Sequence, residues 1–142
     1  TLFDVAESLG IQQEQWGGRQ HFLCFANPTT WQNWEDAGLD YDSTLGCAGH
    51  VGFSCGVCCE FPVFNLRTRE TLKLRERPLI VMEGTLLNYM KCSVEEAFSF
   101  TSQLAETCRR YHGMFTILWH NSSLRSREQK RCYEDVIREI VR

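Results

Sequence analysis

His120 closes an apolar run that extends from Met114 to Trp119. An imidazole at the mouth of a buried strand can give or take a proton near neutral pH. Its plainer role is a hydrogen bond to a loop carbonyl. Asn121 follows it at once. A second candidate place is Asp40 and Asp42, just before Ser43 and Thr44. Asp42 can orient a histidine or bind a substrate hydroxyl. In an ordinary turn it would cap the loop with Ser43 and Thr44. The third place is Arg19 and His21, which flank Gln20. The guanidinium fork of Arg19 suits an acidic or carbonyl group, although a surface salt bridge is the commoner use. Glu76 and Glu83 are further carboxylates at strand ends, and a single carboxylate is not a mechanism.

Eight cysteines form the other chemical feature. Cys55 and Cys58 have the two-residue separation of zinc ligands, and Cys47 or His50 could complete a tetrahedral site. No second Cys-x-x-Cys follows, so free thiols in a loop are the competing reading. Cys108 and Cys132 fall on apolar helix faces, where a thiol behaves as a small hydrophobe. A disulfide framework is not expected, and no secretion signal is visible. A cytoplasmic location is expected on that ground.

The elements that must position these groups follow from periodicity. Leu2, Val5, Ala6 and Leu9 share a helix face, and Gly10 stops the helix. Arg19 to Phe25 is expected to be a strand. Asn27 should cap a helix with Pro28 in its first turn, burying Trp31, Trp34 and Ala37. A short strand follows at Leu39 to Ser43, then a Gly- and Cys-rich loop from Gly46 to Glu60. Asn65 to Leu74 suggests a hairpin, and Leu79 to Met82 a short buried strand. Ser93 and Glu96 have capping-box spacing and open a helix that Gly113 ends. Met114 to Trp119 should be a strand buried on both faces. The last helix begins near Ser126 and should bury Cys132, Tyr133, Val136, Ile137, Ile140 and Val141. Strands alternating with helices predict an α/β chain with parallel strands.

Composition bounds the remainder. The 142 residues are 43% hydrophobic and 23% charged, with a net charge of -3. That fits one domain spanning residues 1–142 and leaves too little chain for a whole (β/α) barrel, which needs roughly 200 residues. No run approaches the ~20 apolar residues of a membrane span. The absence of a basic balance argues against a nucleic-acid partner.

Four segments taken in order carry a resemblance. They are Gly18-Arg19-Gln20-His21-Phe22, Tyr41-Asp42-Ser43-Thr44-Leu45-Gly46, Glu76-Arg77-Pro78 and Leu118-Trp119-His120-Asn121. Together they resemble the polysaccharide deacetylase family, the NodB-homology group also called carbohydrate esterase family four, from about Arg19 to Leu124. The resemblance implies part of a distorted (β/α)7 barrel with parallel strands. It implies a hydrolase that removes acetyl groups from N-acetylated sugars with a divalent metal, commonly zinc. By similarity, His120 is the general acid toward the leaving amine and Arg19 orients the catalytic carboxylate. Asp42 and Ser43 line the mouth of the barrel, with His21, Trp119 and Asn121 on the substrate side.

The family's metal site and catalytic base lie in Asp-Asp and His-x-x-x-His motifs, which this sequence lacks. The expectation is therefore a C-terminal portion of the barrel, inactive alone, with its metal ligands upstream of Thr1. Glu83 stands where an Asp is usual, Ser54 stands where a basic residue is expected, and the cysteine cluster has no place in the pattern. The competing functions are a non-catalytic carbohydrate-binding barrel and a small zinc-binding module built on Cys47, Cys55 and Cys58.

Overall fold

The computed structural model describes residues 1–141. The fold is mixed α/β. Its helices are α1 (Leu2–Ser8), α2 (Thr29–Asp36), α3 (Val94–Arg110) and α4 (Arg127–Ile140). Its strands are β1 (Gly17–Gly18), β2 (Tyr41–Asp42), β3 (Phe61–Asn65), β4 (Glu70–Glu76), β5 (Val81–Met82) and β6 (Ile117–Leu118). One sheet has the order β1-β2-β4-β3, and β5 pairs with β6 in a second. The β1–β2, β2–β4 and β5–β6 pairs are parallel, and β3–β4 is antiparallel. The Leu79 amide donates to the Leu45 carbonyl at 2.8 Å, which links the chain leaving β4 to the chain leaving β2. The parallel strands expected from the sequence are present. The sheet is not closed, and the hairpin makes it mixed.

The hairpin forms where its polar turn suggests. The side chain of Asn65 accepts hydrogen bonds from the amides of Arg67 and Thr68 at 2.9 and 3.2 Å. Strand β4 alternates, with Leu72, Leu74 and Glu76 buried and Thr71 and Lys73 exposed. Pro62 is accommodated because β3 lies at the sheet edge. Trp31, Val63, Leu72 and Leu74 form one core cluster, and Ile80, Val81, Leu86 and Ala97 form another.

Ser93 and Glu96 cap α3 reciprocally as expected, and Ser126 and Gln129 cap α4 in the same way. Helix α4 buries Cys132 and Val136, but Val141 lies past its last turn and is 78% exposed. Helix α2 starts after Pro28, and Asn27 provides no side-chain cap. Trp31 is buried, whereas Ala37 is exposed at the C-cap.

Two strand expectations need correction. The segment from Arg19 to Phe25 is not a strand. Its ladder stops at Gly18 because the next groups bond to side chains: the Gln20 amide donates to Thr44 Oγ1 at 2.9 Å. A 3-10 turn follows at His21–Leu23. The segment from Met114 to Trp119 pairs only through Ile117 and Leu118, which are half-buried. Among the described residues β6 pairs only with β5, and its half-buried residues show that it is not enclosed on both faces.

Candidate functional site

The C-terminal ends of β1, β5 and β6 open into one pocket of about 540 Å³. Arg19 and His21 come from the chain after β1, Glu83 from the chain after β5, and His120 and Ser123 from the chain after β6. Parallel pairing sets the ends of β5 and β6 side by side, and the pocket joins the end of β1 to them, so residues far apart in sequence meet. Exposed Phe22 and Tyr89 add aromatic walls to the same pocket.

The polar centre of the pocket is built on Glu83. Its carboxylate is 1% exposed, and Oε1 meets His120 Nδ1 at 2.7 Å and accepts from the Ser123 hydroxyl at 2.8 Å. Its other oxygen is buried without a partner among the described residues. His120 is exposed, and among the described residues its one hydrogen-bond contact runs through Nδ1. A carboxylate on Nδ1 fixes the ring and its tautomer and leaves Nε2 as the nitrogen available to a ligand.

Arg19 is held rather than free. Its Nε donates to the Ser43 carbonyl at 2.6 Å, and Nη2 donates to Ser43 Oγ at 2.8 Å. Ser43 Oγ in turn donates to the Arg77 carbonyl at 2.7 Å. These bonds join the ends of β1, β2 and β4. Burial lowers the guanidinium pKa from its ordinary value, and Asp42 and Glu76 oppose that shift.

Phe22 and Leu23 have φ of 57° and 52°, the left-handed region that non-glycine residues seldom occupy. Phe22 is nevertheless 84% exposed, and its ring lies 4.1 Å from that of His21. This turn aims both rings at the mouth of the pocket instead of the core.

Asp42 does not reach the pocket. It is fully buried and accepts from the Thr44 hydroxyl and, at 3.0 Å, from the Thr44 amide. That is the turn-capping role weighed for it above. Burial raises its pKa against those hydrogen bonds and the charge of Arg19. Trp119 packs edge-on against Tyr133 of α4, with centroids 5.2 Å apart, and does not line the pocket. Asn121 opens a 3-10 turn beside His120 and is exposed, also outside the lining. Ser43 contributes through Arg19. The chain after β5 and β6 therefore supplies more of the site than the four motifs indicated. Glu83 was visible as a strand-end carboxylate, but its partner Ser123 had no sequence signal.

For the zinc-binding alternative, the structure assembles no ligand set among the described residues. Among the described residues no group of three or more His, Cys, Asp or Glu side chains could hold a metal ion. Cys47, Cys55 and Cys58 have different surroundings: the Cys47 carbonyl accepts from Thr85, Cys55 is half-buried, and Cys58 packs on the cluster of Ile80, Val81, Leu86 and Ala97. The pocket residues likewise form no metal cage, so no chemistry through a metal is derived from them. Among the described residues no helix is long and apolar enough to cross a membrane. Comparison with family models, curated proteins and solved structures found no match.

Proposed function

We propose that this chain forms the His120 side of the groove in a hydrolase that cleaves the acetamide of N-acetylated sugars. The observation that carries the reading is the convergence of Arg19 with Glu83, His120 and Ser123 on one pocket at parallel strand ends. In this reading Glu83 holds His120 through Nδ1, and Nε2 hands a proton to the departing amine. Arg19, fixed by Ser43, presents positive charge to a carboxylate or carbonyl in the groove. The finer architecture belongs to the same proposal: this wall is the C-terminal part of a distorted (β/α)7 barrel. In its support, β1 and β6 are edge strands among the described residues. The divalent metal of the resemblance, zinc, would come with residues outside this chain, and the step assigned to His120 does not run through it.

The test uses a longer chain that carries the Asp-Asp and His-x-x-x-His motifs ahead of this segment. Acetate release from an N-acetylated oligosaccharide is measured with and without a chelator. Chelator-sensitive release that falls at least ~100-fold in His120→Ala is expected. Metal-independent release, or a parent without those motifs, would remove the reading.

A further inference from the structure

Ser123 reaches the same carboxylate oxygen as His120, and one turn of chain brings it there. The Ser123 amide donates to the His120 carbonyl at 2.9 Å, which closes the 3-10 turn Asn121–Ser123. From that anchored position the Ser123 hydroxyl donates to Glu83 Oε1 at 2.8 Å, and His120 Nδ1 meets the same oxygen at 2.7 Å. Glu83 is 1% exposed, and its Oε2 is buried without a partner among the described residues. The two hydrogen bonds that hold the carboxylate therefore both end on one oxygen.

That arrangement gives the hydroxyl a task. The terminal torsion of a glutamate side chain is broad, so packing around the stem leaves the direction of its oxygens open. The backbone turn fixes the Ser123 hydroxyl relative to His120, and the hydroxyl in turn fixes Oε1. Arg19, His21 and Tyr89 are the other charged or titratable groups lining the pocket. Among the described residues none of them bonds to Glu83 or His120. A ring nitrogen that donates to a carboxylate leaves the other nitrogen as an acceptor in the neutral imidazole.

We propose that Ser123 is a positioning residue for His120: its hydroxyl holds Glu83 Oε1 against Nδ1, which keeps the neutral ring's proton on Nδ1 and its lone pair on Nε2. The use of that lone pair in amide cleavage rests on the function proposed above, whereas the tautomer is a property of this chain alone. Ser123 itself touches no substrate in this scheme and acts through Glu83.

The test uses the 142-residue chain labelled with nitrogen-15. Proton–nitrogen correlation spectra of the rings at alkaline pH show which nitrogen of each of the four histidines carries the proton, and His120→Gln assigns the resonance. The Nδ1–H form should predominate at His120. Ser123→Ala should lower the ratio of Nδ1–H to Nε2–H roughly 3- to 10-fold, the worth of one hydrogen bond. Ser123→Thr should restore it, and Asn121→Ala, in the same turn, should leave it unchanged. If Ser123→Ala loses its dispersed amide spectrum, Ser123→Cys takes its place, since a thiol is only a weak donor. An Nε2–H ring in the unaltered chain, or an unchanged ratio in the folded variant, would overturn the proposal. In the longer chain, Ser123→Ala should lower kcat and leave KM unchanged. A tautomer that follows Ser123 while the longer chain releases no acetate would support this placement and remove only the function proposed above.

Discussion

Glu76 follows the inward alternation of Leu72 and Leu74, so strand geometry carries a carboxylate into the core. The Trp31 indole donates to its Oε2 at 2.9 Å, and the Leu45 amide donates to its Oε1 at 3.1 Å. Burial still wins: its pKa is pushed up to about 7, with those hydrogen bonds pulling down and the charge of Asp42 pushing further up. The folded chain therefore binds a proton that the unfolded chain has already released. Its contribution to stability is full below about pH 4.5, the unfolded value, and is lost as pH rises through about 7. Burial raises Asp42 as well, so its slope has the same sign. The melting temperature should fall between pH 5 and 8, and Glu76→Gln should flatten that fall. The upper bound on the effect is about 3 kcal/mol. Thermal melts across the range check this, and an unchanged slope in the variant would refute it.

At the scale of elements, two glycines set how closely segments approach. Strand β1 is only Gly17–Gly18, and a Cβ at Gly17 would lie 2.6 Å from the Tyr41 ring and closer to its carbonyl oxygen. Gly17→Ala should separate β1 from β2 and loosen Arg19 from Ser43. A Cβ at Gly113 would fall 2.6 Å from the Cys58 carbonyl oxygen, so Gly113→Ala should drive the cysteine loop away from α3. Each should cost roughly 1–3 kcal/mol, typical of overpacking, whereas Gly10→Ala meets no atom within 4 Å. Gly10 has φ of 66°, so that variant controls for backbone strain without a clash. Denaturant midpoints of the three variants give the comparison. If Gly17→Ala and Gly113→Ala lose no more than Gly10→Ala, close approach is not what these positions serve.

This scale also shows what could be read from the sequence. The caps of α3 and α4, the polar hairpin turn and the strand ends at Asp42 and His120 rest on local chemistry and were legible. The 3-10 turn at His21–Leu23 was not, because Phe22 and Leu23 adopt backbone that their side chains disfavour and only surrounding contacts sustain. The resemblance put Trp119 on the substrate side. Alternation along the chain turns it instead toward Tyr133. The union of Glu83 with Ser123 depends on a parallel pairing between distant segments, which periodicity does not report.

For the whole molecule, the uncovered surface is the consequential feature. Leu2, Val5, Ala6 and the C-cap Leu9 share a face of α1, yet Leu2, Val5 and Leu9 are 53%, 57% and 68% exposed, and of the four Ala6 alone is buried. Exposed apolar residues grouped this way promote association. The isolated chain should self-associate as concentration rises, and Val5→Glu with Leu9→Glu should hold it monomeric. Light scattering after size exclusion would show this. A monomer at every concentration would mean that the face is tolerated in water.

Strand β4 has two kinds of neighbour: β3 across a tight turn, and β2 across a long excursion that includes the cysteine loop. Contacts between near neighbours in sequence form fast, whereas parallel pairings must first close long loops. The hairpin is therefore the natural early structure during folding, with β4 as the template on which β2 and then β1 are laid down. The pocket rim at Arg19, anchored through Ser43 to Arg77, would be among the last parts of the chain to find its place.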